Sequence, residues 1–167
     1  MRLSSPDDGR AFQWLYGLFY VTNDSDIYQE IYEANLNTGA TIGLPPLFYG
    51  STPSIYREYA TFVNFDYQFT SRFDVQVGGV ASYIGNRLGD FANTPETPRF
   101  ELLGYLTADL RTGIEDREWT VTLYVKNVGD KMGYVNAHAR DATTGISAYG
   151  VSLIQPRTVG LSINKNW

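Results

Sequence analysis

Few side chains in this sequence have the types that do chemistry. Acid pairs such as Asp66 and Asp74 have the chemistry that flanks a glycosidic bond in glycoside hydrolases. Their spacing is equally that of a polar sheet face, so the expectation is that the chain is not an enzyme. The single histidine, His138, leaves no room for a multi-histidine metal centre or a histidine relay. With no cysteine there is no disulfide, zinc–thiolate site or thiol nucleophile. No metal and no cofactor are expected. His138 and Arg140, within Tyr134 to Tyr149, are the loop residues placed to meet a ligand.

The elements that must position these residues are strands. The chain has 167 residues, 43% hydrophobic and 15% aromatic, an aromatic content that argues against disorder. Its net charge of -5 speaks against nucleic acid as a partner. The opening MRLSSPDDGR lacks the apolar run of a signal peptide, and no apolar stretch is long enough for a membrane helix.

Alternation is the main signal. In Tyr59 to Phe69 the odd positions Tyr59, Val63, Phe65, Tyr67 and Phe69 are apolar, opposite Asn64, Asp66 and Gln68, with Phe62 the exception. After Thr70-Ser71 the pattern resumes, with Phe73, Val75, Val77 and Tyr83 opposite Asp74 and Gln76, which predicts an antiparallel hairpin. Trp119 to Lys126 and Arg157 to Trp167 alternate in the same way. Phe12 to Asn23, Ile27 to Leu36, the stretch from Phe100 to Gly113 and a weak segment over Met132 to Ala139 complete about eight strands. Long loops are expected over 39–54, 85–99 and 140–156, with turns at Ile114 to Arg117 and Asn127 to Lys131. Many strands approach the length that crosses a hydrocarbon layer at a tilt, and short turns alternate with long loops.

Several of these segments resemble the barrel strands of TonB-dependent outer-membrane receptors. WTVTLYVKNVGDK, from Trp119 to Lys131, is similar to that family's penultimate strand, and QPRTVGLSINKNW to its last. YLTADLRTGIED, WLYGLFY and YATFVNFDYQFTSRFDVQVGG are similar to other receptor strands. Lys165 and Gly129 depart from the family pattern, and no plug domain is present.

The resemblance implies an all-β fold: an antiparallel transmembrane β-barrel segment of about eight long strands, residues 1–167 forming the C-terminal part of the barrel. It implies a share in energy-coupled uptake of a scarce small-molecule ligand, such as an iron-siderophore, in the bacterial outer membrane. Its implied partners are outer-membrane lipid, the barrel assembly machinery and, through the missing plug, the TonB complex. Asn64, Asp66, Asp74, Gln76, Asp109 and Arg111 would face the lumen, while Val159, Leu161, Ile163 and Trp167 would form the assembly signal. The alternative is a self-contained eight-stranded barrel with a structural or small-ligand-binding role. That reading requires the first strand to pair with the last.

Overall fold

The computed structural model describes residues 1–43, 45–89, 99–139 and 149–165. Thirteen strands occur among them: β1 (Arg2–Ser4), β2 (Phe12–Ile31), β3 (Glu33–Ala34), β4 (Thr41–Ile42), β5 (Phe48–Thr70), β6 (Phe73–Ile84) and β7 (Arg87–Leu88). They continue with β8 (Glu101–Leu102), β9 (Tyr105–Asp116), β10 (Trp119–Lys126), β11 (Tyr134–Ala139), β12 (Tyr149–Leu153) and β13 (Thr158–Lys165). Seven form one antiparallel sheet in the order β1-β2-β5-β6-β9-β10-β13. The other six pair as β3–β4, β7–β8 and β11–β12, each inside a connection between two long strands.

The predicted Tyr59–Tyr83 hairpin is present, with Tyr59 opposite Tyr83 and Phe65 opposite Val77. A bulge between Gln68 and Thr70 fits the chain into its turn at Ser71 and Arg72. The turn expected at Ile114 to Arg117 is shorter and later, because β9 runs on to Asp116. β2 and β5 are also longer than expected, pairing continuously from Phe12↔Tyr67 to Ile31↔Phe48. The half beyond Glu58 and Ile84, where β6 ends, is a two-stranded ribbon. Pro53 is tolerated there because β5 pairs on one side only, with β2.

The alternation sorts the sheet into two faces. One carries Tyr16, Val63, Leu110, Val125 and Val159 in one cross-strand row, and Trp14, Phe65, Val77, Leu123 and Leu161 in the next. Aromatic rows bracket this aliphatic band. The tilted rings of Tyr20, Tyr59 and Tyr83 lie 4.8 and 6.4 Å apart on one side, and those of Tyr67, Phe69 and Phe73 4.6 and 5.8 Å apart on the other. Nothing covers this face among the described residues: Phe65 is 42% exposed, Leu110 53% and Leu161 61%. The few well-buried side chains, Leu102, Tyr105, Ala137 and Asn127, sit at the end that carries the small hairpins.

The expectation of a transmembrane barrel segment of eight long strands is overturned. All four sheets are open, and β1 and β13 are free edges of the largest one among the described residues. The eight-stranded closure of the alternative is not made either, since β1 pairs only with β2 and β13 only with β10. Alternation reports that a strand has one apolar and one polar face. It does not report whether the sheet curls shut, and that is where the inference failed.

A candidate ligand groove on the polar face

The opposite face is polar, and glycines shape it. Register aligns Asn64, Gly78, Arg111, Tyr124 and Gly160 in one row across β5, β6, β9, β10 and β13. A Cβ at Gly78 would lie 2.9 Å from Arg111 Nε and closer still to Asn64 Oδ1. The missing side chain lets Arg111 reach over β6 and donate from Nη2 to Asn64 Oδ1 at 2.9 Å. The Tyr124 ring lies over Gly160, and the Phe62 ring over Gly17. Aromatic rings shielding bare strand backbone in this way fix their own rotamers.

These residues enclose a groove of about 330 Å³ lined by Phe62, Asn64, Val80, Asp109, Arg111, Tyr124 and Lys126. Its walls are largely apolar and its charged groups are unequal in availability. The Asp109 carboxylate accepts the backbone N–H of Asn127 at 2.8 Å. Arg111 is exposed and has one hydrogen bond, to Asn64, among the described residues. Lys126 is exposed, its ammonium 5.8 Å from the Tyr124 ring centroid, within cation–π range. Two cations at the edge of an aromatic trough suit an anion carried on an apolar body.

All six lumen candidates share this face, but they divide. Asn64, Asp109 and Arg111 belong to the groove just described. Asp66, Asp74 and Gln76 line a second, more polar groove of about 220 Å³ with Arg10, Gln13 and Gln68. Asp66 faces Gln76 and Gln68 faces Asp74, so the two acids are diagonal neighbours. Asp74 Oδ1 is buried there without a hydrogen-bond partner, and Arg10 is paired with Asp8 at 2.9 Å.

Phe62, Tyr124 and Lys126 were missed. Phe62 broke the alternation of its strand, and that break was the available signal. Among the ligand-loop candidates, His138 pairs through its backbone with Gly150, and Arg140 lies outside the described residues. Val159, Leu161 and Ile163 stand on the apolar face opposite Val125, Leu123 and Val121, and Trp167 lies outside the described residues.

A third cluster ties the hairpin-bearing end together. Tyr56 donates its hydroxyl to Glu58 Oε2 at 2.7 Å. Burial, then that bond and the Glu58 charge, push the phenol up to about 12, against partial relief from Arg87. Arg87 lies 5.6 Å from the Tyr105 ring centroid and donates to the carbonyls of Tyr134 and Val135 at 2.6 and 3.2 Å. This cluster joins β5, β7, β9 and β11 and is structural in character.

No family model matches the chain, and no curated protein and no solved structure matches it either. The TonB-dependent receptor resemblance is therefore corrected along with the barrel on which it rested. The turn Asn127 to Lys131, at the end of the segment similar to a penultimate receptor strand, has an explanation in its own backbone and hydrogen bonds. Asn127 and Asp130 both adopt φ of 49°, and Asn127 Nδ2 donates to the carbonyls of Lys131 and Gln155. Asn and Asp are the residues that tolerate this conformation and bond locally in any tight turn. Energy-coupled siderophore uptake, the outer-membrane location, and the lipid, assembly-machinery and TonB partners depended on a closed barrel or membrane-spanning element. None is found among the described residues.

Proposed function

We propose that the chain is a non-catalytic binding module whose polar face holds a small anionic ligand with an apolar body. The observation that carries this reading is the pairing of Arg111 and Lys126 at one groove whose only carboxylate, Asp109, is already occupied by the Asn127 N–H. Arg111 supplies planar donors to the anion, Lys126 a second positive charge, and Phe62, Val80 and the Tyr124 ring the apolar walls. The groove lies at the small end of the range for small-molecule sites, roughly 300–1,000 Å³.

The test is calorimetric titration with 2-naphthoate, set against the neutral 2-naphthylmethanol. The carboxylate is expected to bind at least about tenfold more tightly, the worth of one charge-assisted hydrogen bond. Arg111→Ala should erase that preference. Equal binding of the two compounds, or a preference that survives Arg111→Ala, would overturn the reading.

A further inference from the structure

A compact protein of 18.8 kDa exposes about 8,300 Å² of surface. This chain exposes 12226 Å², and among the described residues no large side chain is fully buried. The excess is about 3,900 Å² by the same scaling, and the apolar face, with Phe65, Leu110 and Leu161 all exposed, contributes to it. Between the two aromatic rows the face has no charged residue among the described ones: the rows from Tyr16 and Trp14 on β2 reach Val159 and Leu161 on β13, and the row from Leu18 ends at Ala108 on β9. Asp116 and Lys165 appear only at the rim, where Lys165 lies 5.3 Å from the Trp119 ring centroid.

We propose that this face is an isologous dimer interface, covered by the same face of a second copy of the chain. Obligate homodimers remove roughly 2,000–5,000 Å² in total, or about half that from each partner. Less than the excess carried by each copy is therefore enough. A sheet face of Leu, Val, Ile and aromatic residues is self-complementary in chemistry, and two such faces pack at about 10 Å as the halves of a sandwich. A face without internal charge offers a charged partner no ion pair, whereas a two-fold axis gives every apolar row an apolar row to meet. The polar groove lies on the opposite face and stays open in the dimer.

Sedimentation of the full chain in detergent-free buffer tests this, with the expected mass twice the chain's 18.8 kDa. Leu110→Asp, at a position already 53% exposed in the single chain, should yield monomer. Gln76→Glu on the polar face should leave the dimer intact. Because the chain has no cysteine, Val77→Cys gives a second reading that is independent of how Leu110→Asp folds. A bismaleimide should link Val77→Cys chains in pairs, and Thr122→Cys chains on the polar face should stay unlinked. A monomer in water, a chain dispersed only by detergent micelles, or cross-linking through Thr122→Cys and not Val77→Cys would overturn the proposal.

Discussion

Asp109 on β9 holds the backbone N–H of Asn127 at 2.8 Å, and so fixes the first residue after β10 to the neighbouring strand. Asn127 passes that anchoring on. Its side chain receives the Lys131 N–H and donates to the carbonyls of Lys131 and Gln155. Asp130 accepts the Arg157 N–H at 3.0 Å just before β13 begins. One carboxylate thereby helps position both ends of the longest excursion from the sheet.

Asn127→Ala should be the most damaging single change at this turn. It removes three side-chain hydrogen bonds from a residue 4% exposed, and it places alanine at φ of 49°. A loss of about 2–4 kcal/mol is expected, combining unsatisfied buried groups with left-handed strain. Urea unfolding would measure it. A loss below about 1 kcal/mol would mean that the turn is held mainly by its backbone bonds.

Gly78→Ala separates groove shape from groove charge. The added methyl strikes the Asn64–Arg111 contact, so destabilisation of about 1–3 kcal/mol is expected, typical of an overpacked site. Naphthoate binding should weaken although every charged group is retained. Unaltered binding at normal stability would show that Arg111 meets the ligand without help from Asn64.

Salt offers a test of the two cations. Lys126→Ala should cut naphthoate affinity several-fold at low ionic strength and by less at high salt, since the Lys126 ammonium is exposed. Titration at two salt concentrations reads the difference. A salt-independent loss would assign Lys126 a packing role over Tyr124.

Tyr56 sets an alkaline limit. Its folded value, about 12, lies above the ordinary tyrosine value of 10.0, so the folded state holds the phenolic proton more tightly than the unfolded chain. Stability from this group is complete below pH 10 and is lost as pH rises from 10 towards 12. Thermal unfolding of Tyr56→Phe should show a shallower decline across that window. Equal slopes in both proteins would remove Tyr56 as the cause.

The Tyr59–Phe69 and Phe73–Tyr83 strands were legible because each has a clean apolar face. The ribbon half of β2 and β5 was not. Its two strands have no third strand paired to them, so little selects for alternation, and Gly50 and Pro53 read as loop residues. The six polar candidates share one face of the sheet, and period two fixes such facing without knowledge of partners. Their division into two grooves depended on cross-strand register, which places Arg111 beside Gly78 and Tyr124 from distant parts of the sequence. The openness of the sheet was illegible for a related reason. Edge pairing is decided between β1 and β13, at opposite ends of the chain.

The order of strands in the main sheet is also their order along the chain. Each strand therefore pairs only with its predecessor and successor in the sheet, and the two tight hairpins, β5–β6 and β9–β10, close the shortest loops. Folding can begin at either of them and extend strand by strand, without waiting for the chain's ends to meet. The β2–β5, β6–β9 and β10–β13 pairings must instead close around the β3–β4, β7–β8 and β11–β12 hairpins. The β10–β13 pairing closes the longest of these connections, so β13 is the natural last strand to join the sheet.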